Sequence, residues 1–303
     1  MNPPATVAHA RARSALPGLL LAAVGAIAFS GKAIIVKLAY RHGVDAVTLI
    51  MYRMLFALPM FLLLAWWAGR GKQALARRDW IAVLGLGFCG YYLASFLDFI
   101  GLQYVSASLE RLILYLSPTL VLALGMVLFK RLASRRQLLA LAVSYCGVLL
   151  VFGHEVSLAG THVALGAALV FGSTVSYAVY LVYCGEEVKR LGAMRLTGLA
   201  TSVACLLCIA QFFLLRPVAA MVVAPQVIWL SVLNATLCTF VPVLLVMMAI
   251  ERIGATLSAQ TGMIGPLSTI MMGVLILGEP FTAWVAAGTA LVLMGIWLLA
   301  KWR

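Results

Sequence analysis

Five ionisable residues stand inside long apolar stretches of the sequence: Lys32, Arg53, Asp98, Glu110 and Arg111. One charge at the centre of a membrane-spanning helix costs roughly 2.5–3.5 kcal/mol, so each of these residues needs a partner or water. Counted along helices, all five lie at similar depth, in one layer near the outer side. Such a layer can bind a charged solute, relay a proton through Asp98 or Glu110, or form a gate. A purely structural set of ion pairs fits the sequence equally well.

Lys32 is the sharpest candidate for binding an anionic group such as a carboxylate. It stands in Phe29-Ser30-Gly31-Lys32-Ala33, where small neighbours permit close approach. All five charges belong to the first half of the chain, and the second half offers neutral polar groups at Tyr177, Asn234, Gln260 and Thr261. These groups can hydrogen-bond a polar metabolite, although bridging between helices is an equally common role for them.

Two prolines, Pro118 and Pro266, are predicted to kink or hinge their helices, because proline removes a hydrogen bond from the helical ladder. Ordinary packing kinks are an alternative. The sequence has no His-Glu-x-x-His or Gly-x-Ser-x-Gly pattern, and its histidines lie in the tail or near outer loops. We therefore predict no catalytic residue, no metal and no cofactor. An intramembrane enzyme or a non-transporting scaffold is a remote alternative.

Composition indicates what surrounds these residues. The 303-residue chain is 64% hydrophobic and only 10% charged, with a mean hydropathy of +1.08. Ordinary soluble domains have roughly a quarter of their residues charged, so the surface is predicted to face lipid. The net charge of +13 suggests nucleic acid in a soluble protein. Here the basic residues stand in short loops, so we predict a lipid-bilayer partner and no nucleic acid.

The apolar runs predict ten membrane-spanning helices, each close to the twenty residues that a bilayer requires. They cover residues 16–39, 46–68, 80–100, 105–129, 137–153, 163–184, 195–215, 226–249, 256–277 and 282–300. With the amino terminus in the cytoplasm, sixteen of the 22 basic residues fall on the cytoplasmic side, and only Arg41 and Arg216 on the other. This alternation agrees with the positive-inside rule. We predict an inner-membrane protein with both termini cytoplasmic.

The two halves resemble each other at an offset of 148 residues. The segment Val105–Gly147 lies over Ile253–Gly295 without a gap, matching the pairs Ala107/Ala255, Leu109/Leu257, Pro118/Pro266, Gly125/Gly273 and Gly147/Gly295. Because the offset spans five helices, the copies must be inverted relative to each other. Inverted repeats are typical of secondary transporters, in which the two copies exchange conformations around a shared site.

The stretch from Ala255 to Gly278-Glu279-Pro280-Phe281-Thr282, the proline pair and the stretch Leu97–Leu109 resemble the EamA-type branch of the drug/metabolite transporter superfamily. The resemblance covers the whole chain. It implies an inner-membrane exporter of small metabolites, often amino acids, with a central cavity between two five-helix bundles. The acidic Gly-Glu loop departs from the pattern, since it occurs only in the second copy.

We therefore predict an all-α membrane protein of ten helices in two inverted five-helix repeats, residues 15–154 and 155–303, after a disordered cytoplasmic tail, residues 1–14. Its function is predicted to be alternating-access export of small polar metabolites, amino acids first. Multidrug transport, or transport of nucleobase or sugar derivatives, is the alternative. Proton coupling and oligomeric state stay open.

Overall fold

The computed structural model describes residues 5–129, 134–159, 161–262 and 264–301, and within these ranges it is helical without a β-strand. The helices are α1 (Ala5–Tyr40), α2 (Ala46–Gly69), α3 (Arg77–Leu86), α4 (Ala94–Gly101), α5 (Ala107–Leu114), α6 (Ser117–Phe129), α7 (Arg135–Ala159), α8 (Thr161–Leu191), α9 (Ala193–Leu215), α10 (Pro225–Ala235), α11 (Val241–Gly262), α12 (Ile264–Met272) and α13 (Ala283–Lys301). Three π-helical turns, which widen the helix locally, are Gly87–Leu93, Thr236–Phe240 and Gly273–Leu277. A 3₁₀ turn covers Val218–Met221.

Eight helical segments within the described ranges are long and apolar enough to cross a membrane. They are Leu16–Tyr40, Ala46–Gly69, Arg77–Gly101, Ala107–Leu128, Arg135–Ser157, His162–Cys184, Ala193–Leu215 and Pro225–Ala249. Two shorter apolar helices, Ile264–Leu277 and Ala283–Leu298, follow them. The prediction of an all-helical, multi-pass membrane protein is confirmed, and the count of ten spans stays a prediction.

Two helix ends differ from the sequence-based boundaries. Helix α11 continues to Gly262 through residues 250–255, where a loop was expected. Helix α1 begins at Ala5, so residues 5–14 of the predicted disordered tail are helical here. Both segments contain alanine, leucine or arginine, which favour helix even outside the bilayer. Hydropathy marks where a segment leaves the lipid, whereas a helix ends where its hydrogen bonds stop.

Helices of the two halves pack closely where glycines replace larger side chains. A Cβ added at Gly147 in α7 would lie 2.6 Å from the carbonyl oxygen of Gly288 in α13. A Cβ added at Gly295 in α13 would lie 2.8 Å from the carbonyl oxygen of Ala140 in α7. Residue numbers rise along one helix as they fall along the other, so α7 and α13 are antiparallel in this contact.

Helix α1 packs in the same antiparallel way against the segment formed by α10 and α11. Cβ atoms added at Gly18, Gly25 and Gly31 would meet, in turn, Ile253, Val246 and Cys238. Helix α8 packs likewise near α4, where a Cβ added at Gly166 would lie 2.9 Å from the side chain of Val105. The first helices of the two halves, α1 and α8, are thus packed closely against other helices of the bundle. Helix α1 carries Lys32 into the interior.

We expect Gly147→Ala to destabilise the protein by about 1–3 kcal/mol, because overpacking against a backbone carbonyl cannot be relieved by a side-chain rotation. Gly153, two turns away on the same helix, has nothing within 4 Å of an added Cβ. Gly153→Ala is therefore the matched control and is expected to leave stability unchanged or slightly raised. Thermal unfolding in detergent measures both, and equal unfolding temperatures for the two variants would contradict the packing described.

Candidate functional site

A buried ion cluster joins α1, α4 and α5. The Lys32 ammonium nitrogen lies 2.5 Å from Asp98 Oδ2 and 3.1 Å from Glu110 Oε1. The side chains of the three residues are at most 8% exposed. One ammonium group therefore lies within ion-pair distance of two carboxylates. The sequence predicted a similar depth for these three residues but not which of them pair.

Arg111 extends this cluster on the next position of α5. Its Nε lies 4.0 Å from Glu110 Oε2, and its guanidinium donates a hydrogen bond of 3.3 Å to the carbonyl oxygen of Phe29. The Phe29 ring lies 5.7 Å from the Arg111 guanidinium carbon and 6.0 Å from the Lys32 nitrogen. An aromatic ring at this distance attracts a cation, so Phe29 contacts both basic residues.

Arg53 of α2 lies apart from these ion pairs. Its Nε donates a 3.1 Å hydrogen bond to Thr239 Oγ1, and its guanidinium carbon lies 5.2 Å from the centre of the Phe99 ring. Thr239 in turn donates to the carbonyl oxygen of Asn234 at 2.8 Å. Both belong to the segment around the π-helical turn Thr236–Phe240, and such turns are frequent at functional sites. Arg53 therefore connects the first half of the chain to the second.

Several buried polar atoms in this region have no hydrogen-bond partner among the described residues. They are Arg53 Nη1, Asp98 Oδ1, both carboxylate oxygens of Glu110, Arg111 Nε and Asn234 Oδ1. Glu110 is thus within ion-pair distance of Lys32 without the geometry of a hydrogen bond. Each unsatisfied buried polar group costs about 1–3 kcal/mol. A region with this many is suited to receive another polar group.

Glu279 bridges the two halves at the beginning of α5. Its carboxylate accepts hydrogen bonds from the backbone nitrogens of Ala107 at 2.7 Å and Ser108 at 3.3 Å, and from the Ser108 hydroxyl at 2.9 Å. Gly278 precedes it in the left-handed region, with φ of +74°, which gives the loop its turn. A carboxylate at a helix amino terminus is favourable. Glu110 follows Ala107 by one turn, so this bridge holds the helix that carries Glu110.

Further hydrogen bonds lie beside this bridge. Ser106, which precedes α5, donates both its backbone N–H and its hydroxyl to Glu155 near the end of α7. Two other hydrogen bonds join the halves. Arg41 donates to the Leu277 carbonyl oxygen at 2.7 Å, and Arg216 donates to Asp45 at 3.2 Å. A cavity of about 340 Å³ opens here, lined by Lys37, Tyr40, Arg41, Leu102, Gln103, Leu277 and Glu279.

Asp45 itself begins α2, outside the membrane-spanning segments, and accepts hydrogen bonds from the Val47 and Thr48 backbone and the Thr48 hydroxyl. Partial burial acts to raise the pKa of Asp45, but the hydrogen bonds from Thr48 and Arg216 together hold it below its usual value. Asp45 therefore keeps its charge for Arg216 well into the acidic range.

The carbonyl oxygens freed by the two predicted hinge prolines accept hydrogen bonds from different kinds of donor. Pro266 has no N–H for the carbonyl oxygen of Gly262, four residues earlier, and Tyr115 donates its hydroxyl to that oxygen at 2.7 Å. Pro118 likewise leaves the carbonyl oxygen of Leu114 free, and the neighbouring Ser117 hydroxyl donates to it. Helix α5 ends at Leu114 and α6 begins at Ser117, so the first copy is interrupted at this position. The hinge role of both prolines stays a prediction.

We expect Tyr115→Phe to destabilise the protein by about 1–3 kcal/mol, because it leaves the Gly262 carbonyl oxygen unsatisfied in an apolar environment. Tyr92→Phe serves as control, because the Tyr92 hydroxyl makes no hydrogen bond among the described residues. Thermal unfolding measures the difference, and equal unfolding temperatures would contradict this role of Tyr115.

The remaining predicted site residues are distributed around the bundle. Asn234 is buried beside Thr239, near Arg53. Tyr177 is about one-third exposed and stacks on Tyr180, with ring centres 5.5 Å apart, away from the ion cluster. Thr261 is half-buried near the end of α11. The side chain of Gln260 lies outside the part of the chain that the structure describes.

Comparison with known proteins decides the family. The model of the EamA-like transporter family matches this chain twice, over residues 16–153 and 164–301. The chain belongs to the EamA-like transporter family. The second match starts and ends 148 residues after the first, the offset at which the two halves resemble each other in sequence. Two EamA-like repeats therefore account for nearly the whole chain.

The chain is also similar to individual EamA-like relatives and to a solved structure. "Uncharacterized transporter YcbK" of Bacillus subtilis (strain 168) is 29% identical over 89% of this chain and 88% of the relative. An "Uncharacterized transporter" of Archaeoglobus fulgidus is 23% identical over 92% and 96%. One crystal structure, 17% identical, superposes with a TM-score of 0.62 over 93% of this chain and 95% of the other. At this identity, the likeness is one of fold.

Proposed function

We propose that this protein is a secondary transporter that exports small polar metabolites, with amino acids as the leading class, by alternating access. The observation that carries the proposal is the buried ion cluster of Lys32, Asp98 and Glu110. Intramembrane charges mark solute pathways by default, because lipid penalises them strongly. Membership of a transporter family supports the same conclusion.

The packing of the halves supports an inverted repeat. Gly147 contacts Gly288, and Gly295 contacts Ala140. Gly295 is 148 residues after Gly147, and Ala140 is 148 residues before Gly288, so α7 and α13 make equivalent contacts with each other. Such reciprocal contacts are characteristic of a twofold relation. The contact of Gly18 with Ile253 likewise becomes that of Gly166 with Val105. Antiparallel copies related in this way are the arrangement used in alternating access.

The π-helical turns support the same repeat. Shifted by 148 residues, Gly87–Leu93 covers residues 235–241, which include Thr236–Phe240. A ten-helix bundle with both termini cytoplasmic places Glu279 and the cavity beside it on the outer side, in an inner membrane. On this topology the bridge from Glu279 to α5 closes the outer end, and the ion cluster lies directly below it.

Amino acids fit the signs of the buried charges. The cluster and its surroundings hold ammonium and guanidinium groups together with carboxylates, so both ends of a zwitterion find an opposite charge. A cationic drug would meet Asp98 and Glu110 but also three basic side chains. Proton antiport and uncoupled export are both compatible with buried carboxylates.

Reconstitution tests the proposal. Purified protein in liposomes loaded with labelled amino acids, singly, is expected to release at least one of them faster than protein-free liposomes. The Lys32→Ala variant serves as the matched protein control. Release equal to that from protein-free liposomes for every amino acid would exclude this substrate class, and labelled nucleobases, sugar derivatives and cationic drugs would then be tested. A dependence of the rate on an imposed pH gradient would indicate proton coupling.

A further inference from the structure

The buried charges near α1 do not balance. Lys32 and Arg111 carry two positive charges, and Asp98 and Glu110 carry two negative charges within ion-pair distance of them. Arg53 adds a third positive charge, and it has no carboxylate within 4 Å among the described residues. A buried ion without a counter-ion is strongly unfavourable. The five buried residues therefore carry one positive charge in excess, and Arg53 is the one without an ion pair.

Arg53 makes no ion pair within 4 Å among the described residues, although Asp98 attracts its charge from further away, and part of its guanidinium is unused. The residue is 5% exposed, and Nη1 has no hydrogen-bond partner among the described residues. Its contacts are the Thr239 hydroxyl and the face of the Phe99 ring. A guanidinium presents paired N–H groups that match the two oxygens of a carboxylate. The unpartnered Nη1 of Arg53 is thus a donor available to a carboxylate oxygen.

A second unsatisfied polar atom belongs to Asn234, which shares Thr239 with Arg53 as a hydrogen-bond partner. Asn234 is 1% exposed, its side-chain oxygen has no partner among the described residues, and its backbone oxygen accepts from the Thr239 that also binds Arg53. A carbonyl oxygen accepts hydrogen bonds from an ammonium or amine. The free donor of Arg53 and the free acceptor of Asn234 therefore belong to two residues that both bind Thr239, in the π-helical turn Thr236–Phe240.

We propose that Arg53 binds the carboxylate of the transported solute, and that Asn234 accepts a hydrogen bond from the solute's amino or other donor group. This proposal rests on the transport function proposed above and names the substrate subsite within it. Lys32, which the sequence favoured for this role, is occupied by Asp98 and Glu110. Lys32 therefore holds the two carboxylates together, while Arg53 supplies the unmatched positive charge that selects an anionic group.

Ligand binding to the full chain in lipid nanodiscs tests this assignment without requiring transport. The probes are the standard L-amino acids, acetate, lactate and inorganic phosphate, and for each acid that binds, its carboxamide. The variants are Arg53→Gln, Arg53→Lys and Arg41→Gln. Arg41 is the matched control, because it carries the same charge in the same half but lies at the cavity beside Glu279.

The wild type is expected to bind at least one acid about tenfold or more tightly than its amide, since a charge-assisted bidentate pair is lost in the amide. Arg53→Gln is expected to abolish this preference, Arg53→Lys to retain part of it, and Arg41→Gln to leave it unchanged. The ligand-free Arg53→Gln protein is expected to unfold at or above the wild-type temperature, because it loses an unbalanced buried charge. A lower unfolding temperature together with an unchanged preference would mean that Arg53 is only structural.

The outcomes separate the two proposals. If no amino acid binds but acetate, lactate or phosphate binds through Arg53, the amino-acid function fails and the anion subsite stands. If amino acids bind and are transported while Arg53→Gln keeps the preference for acid over amide, the function stands and the subsite is wrong. Failure of every anion to bind the wild type would also overturn the subsite.

Discussion

Replacing Lys32 by methionine is expected to reduce transport at least tenfold and to lower the free energy of unfolding by about 3–5 kcal/mol, as for other buried ion pairs broken on one side. Methionine preserves much of the side-chain length and removes only the charge. Asp98 and Glu110 would then face each other without the ammonium that now lies 2.5 Å and 3.1 Å from them. Asp98 would have no ion pair and Glu110 only Arg111, 4.0 Å away, so the two carboxylates would also repel an anionic solute. Chemical unfolding and liposome flux measure the two effects separately.

The double variant Lys32→Met/Asp98→Asn separates packing from function. Because it removes one charge of each sign, it is expected to recover most of the lost stability while transport stays low. Recovery of both would mean that the ion pair only fixes the packing of α1 against α4. Full transport by Lys32→Met alone would exclude Lys32 from the functional cluster.

Replacing Glu279 by alanine is expected to open the end of the bundle at which α5 begins. The carboxylate accepts three hydrogen bonds from Ala107 and Ser108 across the two halves. With about 1–3 kcal/mol for each donor left unsatisfied, a loss of roughly 3 kcal/mol is expected. That energy corresponds to a shift of about a hundredfold in the ratio of closed to open molecules. A cysteine introduced at Gln103, which lines the adjacent cavity, should react faster with a membrane-impermeant thiol reagent.

Glu155→Ala is the matched control for this change. Glu155 also binds the beginning of α5, through Ser106, but it lies on α7, the helix that ends the first half in the structure. Its loss weakens α5 without separating the halves, so the labelling rate should change little. Equal rates in the Glu279→Ala variant and the wild type would show that this bridge does not keep the halves closed. Glu279→Gln, which keeps one acceptor oxygen and removes the charge, should give an intermediate rate.

Hydropathy and spacing were sufficient to predict the all-helical membrane fold with two EamA-like repeats, but not the contacts. The apolar runs predicted the helical membrane fold because lipid requires long, apolar, internally hydrogen-bonded segments. Counting residues along helices predicted that Lys32, Asp98, Glu110 and Arg111 share a depth. Their pairing depends on how each helix is rotated about its axis, which side-chain packing decides. Arg53 illustrates the difference, because its partners Thr239 and Phe99 were not identifiable from depth.

Glu279 shows a second reason why sequence was insufficient. The Gly278-Glu279-Pro280 loop was visible as a feature of the second copy alone. Nothing in its spacing indicated that its carboxylate would reach the amino terminus of α5, 172 residues earlier in the case of Ala107. Long-range contacts of this kind depend on the relative placement of the two repeats. The π-helical turns were missed for a related reason, since one extra residue in a turn hardly alters an apolar pattern.

The hydrogen bond from the Tyr115 hydroxyl to the Gly262 carbonyl oxygen has a consequence for how the two halves assemble. In the first copy, the carbonyl freed by Pro118 is satisfied by Ser117 next to it, whereas the second copy has Gly265 at that position. The first half can thus satisfy this carbonyl from its own chain, while the second half needs Tyr115 of the first half packed against it. At this point the second half depends on the first. A gene for it alone would encode a protein that lacks a donor which only its fused partner provides.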